Sequence, residues 1–426
     1  MQRDKSERTG LWAHADFMRL WSAQAISAFG ARITRTALPI IAVNTLGVPE
    51  AVFSMLVALQ LAPGVVLALF AGGFVDRNRK RPILIAADVF RGAVVASLTI
   101  AWLVDALTMA QVIAVGALVG AASSLFQITD IAYLPTLIGA GHLAEGNSKL
   151  ETTEATAEVL GPSSAGILIA ALGAPLAVII NSASYLWSAV QLGRIRAVEP
   201  SPEPQPAASR GWQSRKDLGV GMRAIFGHPQ VRWIVAAFMV WSVAGGFFSA
   251  LYAPYCLRVL GLSESTFGIV IAMGGVGSLG GALISRRLAR SIGVGWTLIV
   301  ASTVSLAAGL FIPLAGGSRA TVIVLLSAHQ LIGDGCSVAF VIQAVTLRQT
   351  VLPRHVLGRA NAAFLICTAG LLPITALVAG LIGELTTIRT AVWIGVVVGL
   401  AAPLFLLPLR RVREMPQGPA EPAARS

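Results

Sequence analysis

Apolar runs of helix-spanning length dominate the chain. Twelve stretches approach the roughly 20 residues that cross a bilayer as a helix. They lie near 20–44, 50–74, 82–104, 108–138, 158–173, 175–193, 231–257, 263–285, 294–314, 320–350, 360–383 and 388–409. Spans 5 and 6 are parted only by the turn signal Gly173-Ala174-Pro175. Span 1 counts despite Arg32 and Arg35, because its surroundings stay apolar over a full helix length. The pattern predicts an all-α integral membrane protein of twelve transmembrane helices, with both termini on one side. It breaks after span 6. From Glu199 to Pro206, prolines occupy positions 200, 202, 204 and 206, which predicts an extended tether. Between Lys216 and Phe226, Leu218, Met222, Ile225 and Phe226 recur at helical spacing, which predicts an amphipathic helix at the membrane surface. The chain therefore divides into an N-terminal six-helix bundle (1–195), a linker with the tether and surface helix (196–229), a C-terminal six-helix bundle (230–410) and a tail (411–426).

Composition fixes the solvent. Of 426 residues, 55% are hydrophobic and only 12% charged, against about 25% charged in soluble domains. Mean hydropathy is +0.76. The 32 Lys and Arg exceed the 20 Asp and Glu, a net charge of +12. Placement decides what that excess means. Twenty-six basic residues flank the spans on the side of the termini, three (Arg258, Arg319, Arg389) lie opposite, and Arg32, Arg35 and Arg91 lie within spans. The positive-inside rule then puts both termini in the cytoplasm of a plasma-membrane protein and removes nucleic acid as a partner. Met1 to Gly10 is polar and reads as no signal peptide, while Trp12, Phe17, Leu20 and Trp21 around Arg19 read as an interfacial anchor. Cys256, Cys336 and Cys367 show no metal or disulfide spacing. Gly275, Gly277 and Gly280 form a G-x-G-x-x-G inside span 8, where close helix packing explains them better than a dinucleotide. With no nucleotide, zinc or nucleophile motif, the chain reads as neither an ATP-driven pump nor an enzyme, and as needing no cofactor.

The two halves echo one another. Gly72, Asp76, Arg77, Lys80 and Arg81 follow span 2, while Gly281, Ser285, Arg286, Arg287 and Arg290 follow span 8. His142 and His355 echo more weakly in the 4–5 and 10–11 loops. Duplicated six-span units build many secondary transporters, with substrate held near the midplane. At these residues the chain resembles the major facilitator superfamily, whose signature loop matches Gly72, Asp76, Arg77, Lys80 and Arg81. The second signature glycine is Arg79 here, a variant that resembles the efflux subfamily of siderophore exporters and macrolide efflux proteins. Asp16, Phe17, Arg19, Leu20 and Trp21, then Ala37-Leu38-Pro39, then Asp217, Gly221, His228 and Pro229 extend the resemblance over nearly the whole chain. It implies two pseudo-symmetric six-helix bundles working by alternating access on a small molecule, driven by protons and functional as a monomer. It also implies that Asp76 gates the cytoplasmic side, facing the positive N-terminal end of span 11 near Arg359 to Ala363. Gly161, Pro162 and Gly166 partly match the span 5 motif of drug–proton antiporters, which kinks that helix and packs it on the other half.

Ionisable groups inside spans cost roughly 2.5–3.5 kcal/mol each on insertion scales, so each needs a reason. Asp88 and Arg91 share a helical face and are expected to pair. The resemblance implies that Lys80 bridges the loop aspartate to Asp130. Asp130 admits two roles, a structural pair or a proton carrier. Asp334 has only His329 nearby on its span, five residues away, and is the preferred proton site. Arg35 is expected to neutralise a carboxylate across the cavity or to bind an anionic substrate. Gln60, Gln127, Asn181, Tyr185, Tyr252, Tyr255, His329 and Gln343 are the candidate lining of an amphipathic substrate cavity, each also open to a plain packing role. The expected function is export of a drug-like or natural-product molecule in exchange for protons. The alternatives are proton-coupled import of a metabolite and a non-transporting scaffold.

Overall fold

With little water to satisfy backbone groups, long apolar runs must close their hydrogen bonds internally, and helices do so. A computed structural model describes residues 11–139, 142–199 and 210–413, with backbone alone at 68–73, 76, 144, 155, 159, 163, 210–217, 354 and 355. Among the described residues every regular element is helical. In chain order these are α1 (Ala15–Ile40), α2 (Glu50–Arg77), α3 (Lys80–Leu103), α4 (Met109–Ile138), α5 (Leu143–Leu172), α6 (Ala174–Gly193) and α7 (Arg210–Gly227). There follow α8 (Val231–Pro254), α9 (Glu264–Ile292), α10 (Val294–Ala308), α11 (Phe311–Leu314), α12 (Arg319–Ala328), α13 (Gly335–Val351), α14 (Arg354–Ala369), α15 (Leu371–Leu385) and α16 (Ile388–Gly399). A 3₁₀ helix, Ala402–Arg411, extends the last span. Three π-helical turns continue α1, α8 and α12, at Ile41–Thr45, Tyr255–Val259 and His329–Asp334.

Among the described residues eleven helices are long and apolar enough to cross a membrane, or twelve counting the bent α5 as one span. Side chains such as Ile131, Ile167, Leu283 and Leu385 are 65–74% exposed, as a lipid-facing surface requires. Local chemistry sets the ends. Thr108, Ser318 and Thr387 accept the backbone N–H three residues on, capping α4, α12 and α16. Gly173, at φ 82°, ends α5 and starts α6.

Several expected boundaries move. Span 5, expected from 158, is a helix from Leu143, so Lys149 lies in α5 rather than in a loop. Its first half carries Glu145, Glu151, Glu154 and Glu158, a polarity that hides it from hydropathy. The helix bends by 41° between Glu145–Glu158 and Leu160–Leu172, just before Pro162, which has no N–H for the preceding turn. α2 runs on through Arg77, so the signature motif is mostly helical and only Asn78 and Arg79 separate α2 from α3. The surface helix is α7, whose Leu218, Met222 and Ile225 pack on Ala360 and Ala363 of α14, while Phe226 is left outside. Most of the tether and the tail beyond Arg413 lie outside the described residues.

By contacts the chain forms two units: Met1–Val48 with Leu59–Gln205 and Ser263–Ile269, and Pro49–Ala58 with Pro206–Leu262 and Val270–Ser426. In unit 1, α1 packs on α5 and α6, and α3 on α4 and α6. Phe17, Leu20, Leu84, Tyr133, Leu134 and Leu192 form its main cluster. In unit 2, α8 packs on α15 and α16, and α10 on α13 and the final 3₁₀ helix, around Ile234, Leu298, Phe340 and Leu347.

Candidate functional site

Within unit 2, a cavity of about 170 Å³ opens among α8, α10, α11, the π turn His329–Asp334, α13 and α16. Its walls include Trp241, Phe248, Tyr252, His329, Asp334 and Ser337. Phe248 and Tyr252 stack at 4.5 Å between centroids, and the His329 ring lies 5.7 Å from Phe248 and 6.2 Å from Tyr252. The Nδ1 of His329 is 3.1 Å from the Ala308 carbonyl. A carbonyl only accepts, so Nδ1 carries a hydrogen toward it, and in the neutral ring Nε2 is then an acceptor. Three expected residues, Tyr252, His329 and Asp334, therefore meet in one place.

They meet because the chain between them is π-helical. His329–Asp334 spans five steps, off register for an α-helix but close to one wider π turn. The glycine stripe of α9 packs against this segment. A methyl on Gly277 would run into the Leu331 carbonyl, one on Gly281 into the Gly335 carbonyl, and one on Gly274 into the Asp334 carboxylate. The packing role expected for the span 8 glycines holds for Gly277 and Gly281, whereas Gly280 of the same motif faces open space.

Unit 1 holds a second set of charges. Arg32 pairs with both Glu154 and Glu158, and Arg35 lies 3.6 Å from the other oxygen of Glu158. Arg35 is 66% exposed and the two glutamates 53% and 43%. Gly161 leaves room for the Arg32 stem, since a methyl there would lie 2.5 Å from its Cγ. The sequence reading misses Glu154 because it precedes the apolar run that starts at 158, and Glu158 because it is the first residue of that run. Their i, i+4 spacing opposite Arg32 and Arg35 was the available signal.

Asp88 and Arg91 pair as expected, buried in α3. Ser188 donates to the second Asp88 oxygen at 2.5 Å, and the Arg91 guanidinium sits 4.4 Å from the centroids of both Phe126 and Tyr185. The Lys80–Asp130 bridge is replaced by other pairs. Lys80 Nζ lies 3.8 Å from Glu199, and Asp130 accepts from Gln24 Nε2 at 2.6 Å. Glu199 wins Lys80 because it also caps the α3 N-terminus, accepting from the N–H groups of Lys80 and Arg81 at 2.5 and 3.2 Å. Arg81 donates to the Leu192 and Gly193 carbonyls. Arg77 is exposed at the end of α2. Gly72 and Asp76 lie among positions described by backbone alone, and the expected dock at Arg359 to Ala363 carries α7, with Gly221 against the Arg359 carbonyl.

Other expected lining residues serve elsewhere. Asn181 donates to Thr34 at 2.6 Å, a buried tie between α6 and α1. Tyr185 stacks on Arg91, and Tyr255 is buried in its π turn. Gln343 donates to Ser285 at 2.9 Å. The Gln60 carbonyl packs on Gly120, and Gln127 is exposed on α4. Gly166 meets Gly268 of α9 so closely that a methyl on Gly268 would lie 2.7 Å from the Gly166 Cα, and 3.2 Å from the Pro162 carbonyl.

Comparison with known proteins agrees with this architecture. The enterobactin exporter EntS of Citrobacter koseri is 25% identical over 364 residues, 83% of each chain. EntS of Salmonella typhi is 25% identical over 427 residues, covering 95% of this chain and 96% of that one. A bacterial homologue of the iron transporter ferroportin in the inward-facing state has the same fold, with a TM-score of 0.74 at 17% identity over 94% of this chain and 99% of that one. The nucleoside transporter NupG gives 0.70 at 12% identity over 93% and 99%. The profile of the Major Facilitator Superfamily matches residues 20–371; the chain belongs to that family and is a multi-pass membrane transporter, not an enzyme.

Proposed function

We propose that the protein exports a small organic molecule with an aromatic part from the cytoplasm across the plasma membrane, in exchange for protons. The unit 2 cavity carries this reading. Its volume of about 170 Å³ suits one aromatic ring, since a cavity of roughly 150 Å³ binds benzene. Trp241, Phe248 and Tyr252 supply apolar and ring-stacking walls, and Asp334, His329 and Ser337 supply polar points. The exporter relatives at 24–25% identity support the direction.

Asp334 serves as the proton site. A proton taken up there removes its charge from the cavity, weakening the hold on substrate at the outer side. Loss of the proton on the cytoplasmic side restores it. Arg32, Arg35, Glu154 and Glu158 supply a second polar surface in unit 1. The chain works as a monomer with no cofactor, the proton gradient being the energy source. The 26 to 3 distribution of basic residues supports cytoplasmic termini.

The test is accumulation of aromatic natural-product compounds in cells expressing the protein, with and without an uncoupler. Expression should lower accumulation of a subset, the uncoupler should abolish the difference, and Asp334→Asn should lose transport at unchanged membrane abundance. Accumulation that rises on expression reverses the direction. Export indifferent to the uncoupler, or intact in Asp334→Asn, removes the proton step.

A further inference from the structure

The basic cluster repeated after spans 2 and 8 borders a cavity in each unit. In unit 1, Arg79, Arg81 and Arg196 line it together with Glu199. That carboxylate is the local counter-charge, lying on the α3 N-terminus and beside Lys80. In unit 2, Arg286 and Arg290 at the end of α9 and Arg413 from beyond the last span line a cavity of about 620 Å³. Here the N-terminus of α10, the counterpart of α3, is capped by the chain itself. The Gly295 and Val294 N–H groups donate to the Val412 and Arg413 carbonyls at 2.8 and 3.2 Å. The cap has the same place but brings no negative charge. Among the described residues no Asp or Glu lines this cavity, and none of the three arginines forms an ion pair.

We propose that the cavity lined by Arg286, Arg290 and Arg413 binds the phosphate of an anionic membrane phospholipid, which supplies the charge that Glu199 supplies in unit 1. Positive-inside topology explains how many arginines lie at this end, but not why three from two distant stretches converge on one cavity. Guanidinium groups match phosphate oxygens in pairs, and basic pockets between membrane helices hold acidic head groups. Ala289, Val294 and Ile342 give the cavity an apolar wall. Leu283, Ile284 and Trp296 on α9 and α10 are 71%, 51% and 47% exposed, surface for acyl chains.

The test is native mass spectrometry of the full chain in detergent with added phosphatidylglycerol or phosphatidylcholine. Wild type should retain phosphatidylglycerol in preference. Arg286→Gln/Arg290→Gln/Arg413→Gln should bind it on the order of a hundredfold more weakly, from roughly fivefold per arginine. Thr346→Glu, which puts a carboxylate in the cavity while keeping every arginine, should displace it too and guards against misfolding of the triple variant. Inorganic phosphate at equal concentration should leave the lipid bound, and Arg79→Gln/Arg196→Gln should not change retention. Equal retention of phosphatidylcholine, or unchanged retention in both cavity variants, overturns the proposal. Displacement by free phosphate overturns the lipid assignment.

Discussion

Arg91 is held between the rings of Phe126 and Tyr185 with its charge on Asp88. Removing one partner of such a buried pair leaves the other uncompensated, at about 3–5 kcal/mol, whereas removing both can be nearly neutral. Arg91→Met should therefore lower the melting temperature of purified protein sharply, and Asp88→Asn/Arg91→Met should recover most of the loss. A double variant no more stable than the single one would contradict the account. This pair was legible in sequence because i, i+3 spacing on one helix sets it. The partners of Lys80 and Asp130 were not, because Glu199 arrives from beyond span 6 and Gln24 from span 1. Pairing between separate helices depends on how they pack, which hydropathy does not encode.

At the scale of elements, α9 shows what a motif means once its surroundings are known. Gly277 and Gly280 both belong to the G-x-G-x-x-G of span 8, yet a methyl on Gly277 meets the Leu331 backbone and one on Gly280 meets open space. Backbone cannot swing aside, so Gly277→Ala should destabilise by about 1–3 kcal/mol. It should also impair transport, because the displaced π segment carries His329 and Asp334. Gly280→Ala should leave melting temperature and transport unchanged. Equal effects of the two substitutions would refute a packing role confined to one face. The number and order of the spanning segments were readable from apolar runs. The π turns were not: His329, Gln330, Gly333 and Asp334 stand out from the apolar run around them, but residue type does not encode a local change of helical pitch. The polar half of α5 was hidden for the opposite reason, being helix without hydrophobicity.

At the scale of the molecule, the duplication is clearer in backbone than in side chains. The π turns Ile41–Thr45 and Tyr255–Val259 are 214 positions apart. The left-handed Gly47 and Gly261, at φ 61° and 63°, keep that offset, as do Glu50 and Glu264 at the starts of α2 and α9. Sequence revealed the repeat at the basic loops and, more weakly, at His142 and His355, at different offsets, because the retained features are turns and chain conformations filled by different residues. The contacts obey the same symmetry and cross over. Asn44 donates to Glu264 at 3.0 Å in unit 1, and Arg258, the counterpart of Asn44, donates to Glu50 at 3.1 Å in unit 2. Gly166 meets Gly268, and their counterparts Gly380 and Ser54 meet each other. Each pair fastens the first turn of a helix from one sequence half into a unit built mainly from the other. Partly exposed pairs stabilise by about 1 kcal/mol or less, so Glu50→Gln/Glu264→Gln should barely move the melting temperature. The alternating access that the family resemblance implies would require these turns to let go, so the same double variant should expose them more often. A cysteine at Ser265, in the first turn of α9, should then react with a maleimide several-fold faster than in the otherwise unaltered chain. An unchanged labelling rate would mean that the glycine contacts alone hold these turns and that the crossed pairs carry no part of the restraint.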